Sequence, residues 1–238
     1  MRKTLLFCLW LLVPVVLLAY HYGPGQSRLS LDRATARIAE AKAAEANEDW
    51  PAAYAAWSEA LALVPQSDAT ARFELRLAQA RTRMYTGELP EAIADMETLL
   101  TEAQNTGAGK EFQRNLRSTL AGGQYYEAWL MRLEGAPADE WLQPAEASRQ
   151  NFRLLAEEAP DAKLAADYEK NLEATIRLER MDLSELQGMP LPKNCSGCKN
   201  VSQKCRSQSQ SKCESKGQSE KKKDARGAGF NEVPKGGS

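Results

Sequence analysis

Between Gln26 and Gln187 the chain contains no histidine and no cysteine, and that double absence bounds its chemistry. The only histidine is His21, beside the hydrophobic N-terminus. Cys8 lies within that apolar run, and Cys195, Cys198, Cys205 and Cys213 lie in the C-terminal segment. Histidine-assisted nucleophilic catalysis and the usual zinc sites are therefore excluded from the body. Carboxylate-only chemistry is left, but Asp139-Glu140 and Glu157-Glu158 read as solvated charge. The expectation is a protein that is not an enzyme and carries no cofactor. β-branched aliphatics are nearly absent as well: Gln26 to Gln187 holds one valine, Val64, and three isoleucines, Ile38, Ile93 and Ile176. Strands need such residues in alternation. Alanine, leucine, glutamate and arginine, punctuated by proline and glycine, predict an all-α body instead.

Charge of one sign is scarce only in parts. The 238 residues carry 31 Lys+Arg against 32 Asp+Glu. From Gln26 to Gln187 there are 18 basic and 28 acidic side chains, and from Gly188 to Ser238 there are 11 basic and 4 acidic. An acidic body with a basic tail argues against a nucleic-acid-binding core and leaves the tail open to anionic partners.

Thr4 to Tyr20 is a run of 17 residues without charge, preceded by Arg2 and Lys3. About 17–25 apolar residues span a bilayer as a helix. Leu18-Ala19-Tyr20-His21-Tyr22 offers no convincing small-x-small cleavage site, so residues 1–25 are read as an uncleaved membrane anchor rather than a removed signal. Positive charge ahead of the run places the N-terminus in the cytoplasm and the body on the extracytoplasmic, periplasmic side.

The body repeats. Asp49 to Pro65 is followed 39 residues later by Glu88 onward, pairing Pro51 with Pro90, Ala53 with Ala92, Trp57 with Met96 and Leu61 with Leu100. Arg33 and Arg37 pair with Arg72 and Arg76 at the same offset. A fixed period of this size marks stacked helix pairs. Residues 26–187, carrying Asp49, Trp50, Ala53, Trp57, Ala60, Leu61 and Pro65, then Gly87, Leu89, Glu91, Ala92, Met96, Leu99 and Leu100, resemble the tetratricopeptide repeat family in its second helix. They depart from it in the longer period and in lacking the first-helix signature. A degenerate third unit runs from Lys110 to Glu134 and from Pro144 to Ala159, with Phe152 in the Trp57 role and Asp161 to Leu186 as a capping helix. Pro51, Pro90 and Pro144 are assigned to first-turn positions. The resemblance implies a short α-solenoid, about seven helices long, whose first helices line a groove for a protein partner.

On the first helix of the second unit, Phe73, Leu77, Ala80 and Met84 form an apolar stripe. Arg72, Arg76, Gln79 and Arg83 form a polar one beside it. With Arg33 and Arg37 before them, and Lys110, Arg114 and Arg117 after, these side chains form a basic ladder, either a solvated face neutralised by nearby acids such as Glu74 and Glu111 or a clamp for the carboxylates of an acidic peptide. Gly107-Ala108-Gly109-Lys110 lacks the rest of a phosphate loop and reads as a turn. Residues 188–238 are too polar to bury a core and are read as disordered. Their cysteines stand as C-x2-C-x6-C-x7-C, which leaves a biased tail, a disulfide knot and a metal or thiol site open. The reading as a whole is a membrane-tethered interaction scaffold, its partner a membrane-complex component or an acidic peptide. The alternative is a metal- or thiol-handling envelope protein acting through Cys195, Cys198, Cys205 and Cys213.

Overall fold

The computed structural model describes residues 10–16, 18, 20 and 26–189. The basic tail with its four cysteines, and much of the apolar run from Thr4 to Tyr20, lie outside the described residues. Among the described residues no helix is long and apolar enough to cross a membrane. From residue 26 onward the described chain is helical with no strand. The elements are α1 (Gln26–Ala46), α2 (Trp50–Leu63), α3 (Ala69–Arg83), α4 (Leu89–Asn105), α5 (Lys110–Leu133), α6 (Ala138–Glu157), α7 (Ala162–Arg180) and α8 (Leu183–Gln187). The chain forms two compact units, residues 1–75 and 76–238, divided within α3.

In the first unit α1 packs antiparallel on α2. Alanine makes the close approach possible: Ala34, Ala41, Ala53 and Ala60 are all buried. Trp57 is 3% exposed and donates its indole N–H to Glu45 Oε1 at 2.9 Å. Asp49 caps α2 by accepting from the Ala52 amide, with Pro51 in the first turn where its missing N–H costs nothing. The turn before it closes through Glu48, whose φ is +58°. Its equivalent 39 residues on is Gly87, at φ +91°. A side chain in that left-handed region costs about 1–2 kcal/mol, which glycine avoids. Glu48→Gly is therefore expected to stabilise the first unit by up to about 1 kcal/mol, read as a higher denaturant midpoint with an unchanged slope.

In the second unit α4, α5, α6 and α7 each run antiparallel to the helix before. α5 is central, packing on α4, α6 and α8, and α7 packs on α6. Gly123 sets the spacing of α5, because a Cβ there would lie 3.3 Å from Ile93 Cγ1 and 3.4 Å from Met84 Cε. Phe152 and Leu155 of α6 pack with Ala121 of α5 and Tyr168 of α7 as one core cluster. Gly107, at φ +70°, ends the α4 turn, and Gly109 stands at the N-cap of α5.

Two expected boundaries are corrected. α6 begins at Ala138, not at Pro144, which lies inside the helix. Pro137 at the N-cap and Asp139 and Glu140 in the first turn supply an earlier start that favours the helix dipole. The capping helix is also broken: α7 stops at Arg180, Met181 and Asp182 are extended, and α8 restarts at Leu183. The reason lies on another helix. Arg132 of α5 donates to the carbonyls of Leu178 and Met181, taking over acceptors that a broken helix leaves open.

Candidate functional site

Five of the ladder arginines, Arg37, Arg72, Arg76, Arg83 and Arg117, are built into the helix packing. Arg37, on exposed α1 surface, bonds Glu40 at 2.5 Å and Glu59 of α2 at 2.9 Å. Arg72 donates to the Leu61 and Val64 carbonyls at 3.2 and 3.1 Å and so caps the end of α2. In the second unit Arg76 forms a two-pronged pair with Glu102. Arg83 bonds Glu88 at 2.8 Å and Asp95 at 2.7 Å. Arg117 donates to Asn151 Oδ1 at 3.0 Å. Arg114 is half-buried and Arg33 is exposed. An acidic ligand at Arg76 or Arg83 would therefore have to displace carboxylates that already satisfy the guanidinium.

Burial works against the Arg83 charge, but the bonds to Glu88 and Asp95 outweigh it and hold the group more firmly protonated. The Arg76 hydrogen bond holds the Glu102 carboxyl below its ordinary range. A lowered carboxyl contributes stability that is present at neutral pH and is lost as pH falls through its folded-state value. Arg76→Gln is therefore expected to flatten the acid limb of the stability curve, by no more than about 1 kcal/mol for so exposed a pair. Melting temperatures taken from neutral to acid pH on both proteins check this.

The second unit also carries an open groove of about 430 Å³ between α4, α5 and α6. Ile93 and Glu97 of α4, Gln124 and Glu127 of α5, and Glu140 and Pro144 of α6 line it, and none of the described lining residues is basic. The Oε2 atom of Glu140 is buried and accepts no hydrogen bond from the described residues.

Behind this wall runs a relay of polar side chains. Arg117 donates to Asn151, Asn151 Nδ2 donates to Gln124 Oε1 at 2.9 Å, and Gln124 Nε2 donates to Glu97 Oε1 at 3.1 Å. Gln124 is only 4% exposed. A buried amide is tolerable only with its bonds made, and here those bonds fix Glu97 at the groove edge. Sequence reasoning missed both groove and relay. The one available signal is a glutamine inside the uncharged, largely apolar stretch from Leu120 to Tyr126.

Among the described residues no group of three or more His, Cys, Asp or Glu side chains is placed to hold a metal ion. No family model, curated protein or solved structure matches the chain.

Proposed function

We propose that the chain is a non-catalytic, membrane-tethered scaffold of tetratricopeptide-like helix pairs that takes a protein partner in the groove between α4, α5 and α6. The observation that carries this reading is the groove itself, with Glu97 fixed by a buried relay at its edge. The carboxylates of Glu97, Glu127 and Glu140, interleaved with Ile93 and Pro144, suit a cationic segment whose aliphatic stems cover the apolar patches. Residues 4–20 act as the tether and the body stands on the extracytoplasmic side. The exposed apolar side chains of Trp10, Val13 and Val16 support the tether. The arginines serve chiefly to clasp neighbouring helices.

Capture from detergent-solubilised membranes tests the proposal. A variant carrying Glu127→Lys and Glu140→Lys is expected to lose the partner that the wild type recovers, while Arg33→Gln with Arg76→Gln keeps it. The reverse pattern would make the arginine ladder, and an acidic peptide, the basis of recognition. Equal recovery by all three proteins would reject both surfaces.

A further inference from the structure

We infer that the groove is the docking site of the chain's own basic tail, specifically the segment from Lys216 to Arg226; this rests on the scaffold reading of the same groove. Charge is the first argument. The segment carries Lys216, Lys221, Lys222, Lys223 and Arg226 against Glu220 and Asp224. The groove presents Glu97, Glu127 and Glu140 with no basic lining residue. The lysine stems can lie along Ile93, Met131 and Pro144 while their ammonium groups meet the carboxylates.

Position is the second argument. α8 packs on α5 and buries Leu186 completely, so the last described residues before the tail lie on the flank of α5. Arg132 holds the Met181 carbonyl to the same end of α5 where Met131 forms the groove edge. The stretch from Gly188 to Lys216 can extend to roughly 90 Å at about 3.3 Å per residue, ample to reach any part of the groove. A short covalent link of this kind gives an effective concentration on the order of millimolar, enough for modest ionic contacts to hold the segment in place. An external basic partner must then displace the tail, which makes the groove a guarded surface.

Zero-length carbodiimide coupling of the full chain in detergent micelles, with isotope-labelled and unlabelled copies mixed, tests the assignment. Lys221, Lys222 and Lys223 are expected to couple to Glu127 and Glu140 several-fold more than to Glu169 and Glu173, which are exposed on α7. The links should form within one copy and fade as salt is raised. Uniform coupling over all exposed carboxylates would overturn the inference. So would links formed only between copies, which would give the groove to a second molecule.

Reversing Lys221, Lys222 and Lys223 to glutamate should in turn raise partner capture several-fold; unchanged or reduced capture counts against a competing tail. If coupling is uniform while capture still depends on Glu127 and Glu140, the tail assignment falls and the scaffold reading stands. If capture is indifferent to those residues as well, both fall.

Discussion

Trp57→Ala is expected to destabilise the protein by about 3–5 kcal/mol, the range for removing a large buried aromatic side chain. Trp57 is 3% exposed in an alanine-rich interface where Ala53, Ala56 and Ala60 have no side-chain reach to refill the space. The cavity therefore stays open, which puts the loss toward the upper part of that range. A polar contact goes with it, since the indole N–H bonds Glu45 at 2.9 Å and joins α1 to α2. Trp57→Phe separates the two effects: most of the burial remains and the hydrogen bond is lost, for about 1 kcal/mol. Against a total stability of about 5–15 kcal/mol the alanine variant gives up a large share, so denaturant unfolding resolves it clearly. A midpoint that does not move would mean that Trp57 does not anchor the α1–α2 pair.

The next largest effect is expected at Arg132, whose replacement by alanine should cost about 2–3 kcal/mol. Its guanidinium reaches the carbonyls of Leu178 and Met181 and lies 4.6 Å from the centre of the Trp141 ring. One side chain of α5 thus holds the end of α7, the extended residues after it and a face of α6. Burial pulls its pKa down and Asp182 partly restores it, so the charge is kept where it is costly because the carbonyls need it. Arg132→Lys should recover only part of the loss, since a single ammonium cannot bridge both acceptors in the planar geometry of arginine. Hydrogen exchange locates the damage: protection should fall at residues 178–186 before it falls in α4. Unchanged protection there would mean that the α7–α8 break is held by other contacts.

What the sequence reveals and what it hides divides by distance along the chain. The 39-residue offset shows Trp57 and Met96 as buried residues, the degenerate third unit puts Phe152 in the same role, and all three are buried. Helix type and the start of α5 are equally legible, because periodicity and capping act within a few residues. The arginine ladder is legible as a stripe, but the carboxylates it meets are not. Glu102 is 26 positions from Arg76, and Asn151 is 34 from Arg117. Nothing local distinguishes a guanidinium waiting for a ligand from one already bonded to the next helix. The break after α7 is hidden for the same reason, since Arg132 lies 46 and 49 residues from the carbonyls it satisfies. Pro144 misleads in the opposite direction, because a helix-initiating signal at Pro137 to Glu140 overrides a proline that would otherwise mark the first turn.

Hydrogen exchange on the full chain, with and without the partner recovered from membranes, tests the central claim most directly. The groove reading predicts new protection confined to the facing stretches of α4, α5 and α6, around residues 90–97, 124–131 and 140–147. Protection that appears instead along the arginine faces of α1 and α3, with α4 to α6 unchanged, would contradict it.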